Sequence, residues 1–429
     1  MKIKKTLTFS FLLLLTAEFI YNVSGYAIKS GLGRTLGVEM YGRYTTVITF
    51  VTMVIIVVGR SIPSAMAKRI SENKNNFSIV QSIKKTAAQM QFFIIISLTA
   101  IFYLLAPFSA KYFLKDETLT PLVQLSSLII PTFALSSFHV LYFNGLKRFG
   151  AMTALKTSRG IFRMLWIIGL AYSFKLSGAF WGAILAPLSV FLVAIFIEIF
   201  IYKDFKLFPK KTKKSLEVVE KYPWQSIISY AKVFVLFTLF YEFFVRMDIY
   251  LIKIFLKNDY FVGIYDSAMT VSLIPYYLIF ALTFILFPTI SNLKSNGNHA
   301  KIKKLVKKII ILLFATLIPI SVILVFFSDL LINLLYGNEF YDAGNLIPLM
   351  LGGTIFGTIF FVLASIWNGA GYTKTPAIIT FFAIILSVTL NYIFIPAYGI
   401  SATAIIFSAT SSFMGISLLT LTYFKFLGD

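Results

Sequence analysis

Apolar runs of about twenty residues, parted by short basic loops, recur along the chain from Leu7 onward. A helix of that length crosses about 30 Å of hydrocarbon while satisfying its own backbone hydrogen bonds. The pattern therefore predicts an all-α integral membrane protein. Composition agrees, because 58% of residues are hydrophobic and only 13% charged, where a soluble domain carries roughly 25% charged residues. Twelve spans are expected: 7–28, 44–62, 84–107, 121–143, 157–175, 179–201, 227–255, 263–290, 305–328, 346–367, 376–396 and 399–424. The first follows Met1–Lys5 like a signal peptide. It lacks a small-x-small cleavage site and precedes many more spans, so it reads as a retained helix. The absence of cysteine excludes disulfides and thiolate metal sites.

A formal charge of +22 would suggest nucleic acid in a soluble protein. Here the lysines cluster in alternate loops, as retention of positive charge in the cytoplasm requires, and no nucleic-acid partner is expected. The N-terminal tail carries +3, 60–85 +5, 144–159 +4, 203–223 +4 and 291–308 +6. The opposite loops 111–117 and 256–262 are neutral, and 329–342 carries −3. Loop 29–43, at +2, is the awkward member. The contrast places both termini in the cytoplasm of a multi-pass protein of the plasma or inner membrane.

The longest polar connection, Lys203–Pro223, divides the chain into an N-terminal domain (1–202), a cytoplasmic linker (203–223) and a C-terminal domain (224–429). The two domains echo one another. Gly37–Tyr44 (GVEMYGRY) has a weaker counterpart in Asp259–Tyr265 (DYFVGIY), and Asn144-Gly145 after span four matches Asn368-Gly369 after span ten. The offset is an even number of spans, so the repeat is parallel, related by a pseudo-two-fold axis along the membrane normal.

Several segments carry a family resemblance. Gly37–Tyr44 resembles the LG-x-x-x-YG-x-Y segment of prokaryotic polysaccharide-biosynthesis membrane proteins, the O-antigen or capsule repeat-unit flippases. Val262–Ala268 is similar to their VGxYSxA segment, with Asp266 where a small residue is usual. Phe287–Ser291 is similar to FP-x-[IL]-S, and Leu335–Ala343 to LYG-x-x-[FY]-x-x-A. The resemblance covers essentially the whole chain. It implies the fold of the multidrug and oligosaccharidyl-lipid exporter superfamily: two six-helix bundles facing each other in a V around a central cavity. It also implies a substrate of polyprenyl-pyrophosphate-linked oligosaccharide, with glycosyltransferases and a polymerase as partners beside membrane lipids.

Moving such a headgroup breaks no bond, so no catalytic residue, metal or cofactor is expected. Cations away from the loop ends are required instead, because an unpaired charge in hydrocarbon is very costly. Lys156, Arg159 and Arg163 are spaced i, i+3, i+7 along one helix face. Arginine forks suit phosphate oxygens, while snorkelling would leave Lys156 and Arg159 as helix anchors. Arg246, Lys232, Lys29 and Arg34 complete the substrate-binding candidates. Charge-pairing or ion-coupling candidates are Glu18 with Asn22 (i, i+4), Glu242 with Arg246 (i, i+4), Asp248 and Asp266. Asp248 is expected to face a cation on another helix. Glu198 reads as an interface residue, and His139 as a core residue.

The residues and the resemblance together predict a flippase working by alternating access, with Na+ or H+ as a coupling cation left open by the spacing. Two rivals stand beside it: a cation-coupled drug exporter of the same fold, which wants an acidic cavity, and a non-transporting scaffold of a polysaccharide assembly complex.

Overall fold

The computed structural model describes residues 2–73, 75–201, 222–228 and 246–427. These are almost entirely helical. α1 (Lys2–Glu72), α2 (Phe77–Leu104), the short α3 (Ala106–Phe108) and α4 (Thr120–Ser126), α5 (Ile129–Gly145) and α6 (Phe149–Phe196) precede the linker. After it come α7 (246–256 of the described residues), α8 (Asp259–Ser272), α9 (Ile274–Ser295), α10 (His299–Phe326), α11 (Ser328–Tyr336), α12 (Asp342–Gly369) and α13 (Lys374–Thr422).

Twelve separate spans in two six-helix bundles are not what the structure contains. Among the described residues, seven helices are long and apolar enough to cross a membrane. The number is eight if the pair Ile274–Phe280 and Ile285–Ser295, bent by 43°, counts as one. Expected spans 7–28 and 44–62 lie on the single helix α1. Likewise 157–175 and 179–201 share α6 and its end, and 376–396 and 399–424 share α13. Each merged helix is interrupted by one non-helical residue, Gly37, Lys175 or Gly399. Hydropathy registers polarity, and a polar stretch such as 29–43 can still extend a helical ladder. Expected span seven falls largely on 229–245, which with most of the linker lies outside the described residues.

Local chemistry sets the helix ends. Asn76 and Asn258 cap α2 and α8, their side chains accepting from the amides of Ile79 and Tyr260. Pro275 sits at the start of α9, where its missing N–H costs nothing. Pro187 and Pro319 stand inside α6 and α10, and neither is the residue at which a helix is interrupted.

Two compact units emerge. The first comprises 1–36 and 43–246. Its core gathers Ile62, Met66 and Ile70 of α1, Ile83 and Ala87 of α2, Phe138 and Phe143 of α5, and Val190 and Ala194 of α6. Phe92, Phe93 and Leu104 of α2 stay exposed, as expected where the outer surface meets lipid rather than water.

The second unit comprises 247–429 and the short stretch 37–42. Here α12 packs against α8, α9, α10, α11 and α13, burying Ile347, Met350, Ile359, Val362 and Ile366. Three of the sequence segments singled out above meet in this unit. Tyr41 is 1% exposed and donates to Oδ2 of Asp266 on α8 at 2.5 Å. Its ring meets Tyr336 and Phe340 edge-on, with centroids 5.8 and 5.7 Å away. The Val38 amide donates to Glu339 at 3.3 Å. Gly42 lies against the Asp259 carbonyl and Gly263 against the Val38 carbonyl, so neither position has room for a Cβ.

Candidate functional site

Within the first unit, cations converge where α6 passes α1 and α5. The i, i+3, i+7 spacing places Lys156, Arg159 and Arg163 along one side of α6, and their partners show which side. Lys156 is ion-paired with Glu18 of α1. Arg159 donates to Ser136 Oγ at 3.0 Å and Ser137 Oγ at 3.3 Å, both on α5, and its guanidinium lies 4.9 Å from the Phe133 ring centroid. Arg163 lies 4.7 Å from the ring centroid of Tyr21 on α1. Gly160 permits this closeness: a Cβ there would stand 3.2 Å from Ile20 Cγ2 and 3.4 Å from the Tyr21 Cα.

Arg60 of α1 lies close enough to act electrostatically on both Arg159 and Tyr21. Among the described residues, Lys156, Arg159, Arg163 and the exposed Arg60 share this neighbourhood with the carboxylate of Glu18. The Nε of Arg159 is buried without a hydrogen-bond partner among the described residues, which leaves donor capacity in a guanidinium built for oxyanions. Cation–π contacts and serine hydroxyls hold the arginines in place without neutralising them. Such an arrangement can receive a phosphate or pyrophosphate.

The other candidates are dispersed. Lys29 is half-buried and Arg34 exposed, both on α1 before the break at Gly37, and Asn22 is half-buried one turn beyond Glu18. Arg246 is half-buried at the first described residue of α7. Lys232 and Glu242 lie outside the described residues. In the second unit Asp248 accepts from the Tyr265 hydroxyl at 2.7 Å and from Asn391 at 3.5 Å. Both of these partners are neutral groups rather than the expected cation. Asp266 accepts from Tyr41, as described above.

Several residues escaped the sequence reading. Arg60 belongs by sequence to the basic loop 60–85, while Tyr21, Ser136 and Ser137 carry no motif. The periodicity of α1 does place Tyr21 three residues after Glu18, a signal available in principle. Glu198, expected at the interface, is instead 1% exposed, ion-paired with Lys84 and 3.0 Å from His139 Nδ1. Lys253 and Asp259 form a second buried pair at 2.8 Å. Between α12 and α13, Lys294 and Lys425 both approach the Tyr372 ring, at 4.0 and 4.7 Å from its centroid. The Lys294 hydrogen bond and these positive charges hold that phenol below its usual range. Among the described residues no group of three His, Asp or Glu could hold a metal ion.

Comparison with known proteins agrees with this architecture. The chain is 24% identical over 412 residues to the "Putative O-antigen transporter" of Shigella flexneri, covering 91% of this chain and 93% of that one. It is 25% identical over 181 residues to the "Probable low-salt glycan biosynthesis flippase Agl15" of Haloferax volcanii. That match spans 42% of this chain and 38% of the archaeal protein. Among solved structures, the lipid II flippase MurJ in an inward closed conformation superposes with a TM-score of 0.73 at 16% identity, covering 96% of this chain and 87% of MurJ. An inward-facing multidrug resistance MATE transporter of the MOP superfamily gives 0.70 at 13% identity, covering 94% of each chain. The fold is that of membrane transporters. A family model described as polysaccharide biosynthesis protein matches residues 32–344, and the chain, a polytopic membrane protein, belongs to that family.

Proposed function

We propose that this protein is a flippase that carries a polyprenyl-pyrophosphate-linked oligosaccharide, the repeat unit of a cell-surface polysaccharide, from the inner to the outer leaflet. The reading includes alternating access, cytoplasmic termini, and two domains joined by the basic linker 203–223. The observation that carries it is the cluster of Arg60, Lys156, Arg159 and Arg163 beside the Glu18 carboxylate among the described residues. A pyrophosphate needs several fixed donors to replace its water, and three arginine forks with one lysine supply them. Lys29, Arg34, Lys232 and Arg246 are further contacts in this reading, and Glu18 restrains Lys156 until the anion arrives. Membership of a polysaccharide biosynthesis family and the names of the two relatives favour a sugar-bearing cargo. Glycosyltransferases and a polymerase would act before and after it, and Na+ or H+ would serve as coupling cation. A drug exporter would need carboxylates where this cluster has arginines.

The test is flipping of a fluorescent polyprenyl-pyrophosphate oligosaccharide by the purified protein in liposomes. Loss of one charge-assisted phosphate contact costs about 1.5–3 kcal/mol, so Arg159→Ala and Arg163→Ala should each slow flipping about tenfold or more with folding intact. Wild-type rates in both variants would defeat the site. Movement of organic cations but not of the lipid would favour the exporter, and movement of neither the scaffold.

A further inference from the structure

Residues that recur every three or four positions share one side of a helix. Along α10, Ile302, Val306, Leu313 and Leu317 keep that spacing and are buried, and the helix packs against α9 and α12. On the opposite side Lys301, Lys304, Lys308, Ile311, Ile318 and Val322 keep it too, and all six are exposed. The change of character along this exposed side is abrupt. Every exposed residue from Lys301 to Lys308 is a lysine, and every exposed residue from Ile311 to Phe326 is apolar.

α10 has 28 residues and so runs about 42 Å, against about 30 Å of hydrocarbon. With its apolar part in the hydrocarbon, the lysine end stands at headgroup level, stems along apolar surface and ammonium groups in the polar layer. Helix stability does not account for these lysines. Lys301 and Lys304, and Lys304 and Lys308, are like charges at i, i+3 and i, i+4, which repel, and cations in the first turns oppose the helix dipole. Nor does topology require them on this face. α2 is the counterpart of α10 in the parallel repeat, also with 28 residues after an asparagine. Its residues corresponding to Lys301, Lys304, Lys307 and Lys308 are Ile79, Ser82, Lys85 and Thr86. The basic residues of 60–85 stand mostly before α2, in the loop, whereas those of 291–308 stand mostly on α10 itself.

We propose that the exposed side of α10 binds an anionic phospholipid of the bilayer, its phosphate held by Lys301, Lys304 and Lys308 and its acyl chains lying along Ile311, Ile318 and Val322. Juxtamembrane lysine clusters attract anionic headgroups, by about fivefold in affinity for each lysine. A bound phosphate also relieves the repulsion among the three ammonium groups. A zwitterionic lipid brings its own cation beside the phosphate and gains less. The exposed residues from Lys301 to Phe326 include no hydroxyl, amide or carboxylate, so the face has nothing to recognise a glycan, and a plain diacyl lipid fits it better than a sugar-bearing one. With cytoplasmic termini, as proposed above, the site lies in the inner leaflet. It does not rest on the flippase reading.

The test titrates the full-length protein in detergent with phosphatidylglycerol or with phosphatidylcholine of the same chains, and reads the dissociation constant of the tightest-bound lipid by native mass spectrometry. The wild type should bind phosphatidylglycerol at least tenfold more tightly than phosphatidylcholine. The triple variant Lys301→Gln, Lys304→Gln, Lys308→Gln should lose about tenfold or more of that affinity, and the same three positions changed to Arg should keep it. A charge-matched variant with Lys85→Gln, Lys147→Gln and Lys374→Gln, all exposed lysines elsewhere, should also keep it. No preference in the wild type, an undiminished preference in the α10 glutamine variant, or an equal loss in the charge-matched variant would each overturn the site. Displacement of the lipid by an equal concentration of glycerol phosphate would overturn the part played by the apolar stripe. All of these readings stand whether or not the protein flips a lipid-linked sugar.

Discussion

Single residues explain why the recognisable segments of this chain identify a fold better than a cargo. Tyr41, Asp266, Tyr336 and Phe340 come from three separate segments and share one contact in the second unit. Tyr41→Phe removes the hydroxyl that donates to Asp266 while keeping the ring. A buried carboxylate deprived of a donor costs about 1–3 kcal/mol, so the variant should unfold at a lower temperature in detergent, measured by tryptophan fluorescence. An unchanged midpoint would show that Asp266 does not depend on that bond. The glycines of the same motifs were legible as residues that matter, but not their reason. Gly42 and Gly263 face carbonyls of each other's helices, a constraint between positions far apart in sequence. The α6 cations were legible for the opposite reason, since i, i+3, i+7 spacing is a local property. Their partners on α1 and α5 were not.

At the scale of elements, the merged helices turn on one residue each. Lys175 interrupts α6 at φ 52°, ψ −134°, and Gly399 interrupts α13 at φ 62°, ψ −147°. The two breaks have nearly the same geometry, and each helix follows one ending in Asn-Gly. Only the second break carries the residue suited to it, because a side chain in that region costs about 1–3 kcal/mol. Lys175→Gly should therefore stabilise the protein by about 1 kcal/mol, and Gly399→Ala should destabilise it by a similar or larger amount. Thermal unfolding of the two variants in one detergent checks the sign of each. The same lysine explains the misreading of α6: a charge between apolar runs looks like a loop, yet here the helix resumes after a single residue.

For the whole molecule, charge is the property that function would use. If an anionic headgroup is the cargo, a membrane potential negative on its starting side should drive it outward. Each charge crossing the full field gains about 2.3 kcal/mol per 100 mV, so a potassium diffusion potential of that sign in proteoliposomes should speed flipping several-fold, and the reverse sign should slow it. Indifference to both signs would mean that no net charge crosses the field in the slow step. The sequence by itself determined that the chain is helical, lies in a membrane and belongs with polysaccharide-biosynthesis proteins, because apolar run length, loop charge and short motifs are written locally along the chain. Tertiary structure alone decided which apolar runs join into one helix, that Glu198 is buried between Lys84 and His139, and that Arg60 joins the α6 cations. Each of these depends on backbone continuity or on side chains distant in sequence, and neither is encoded in the polarity of a single stretch.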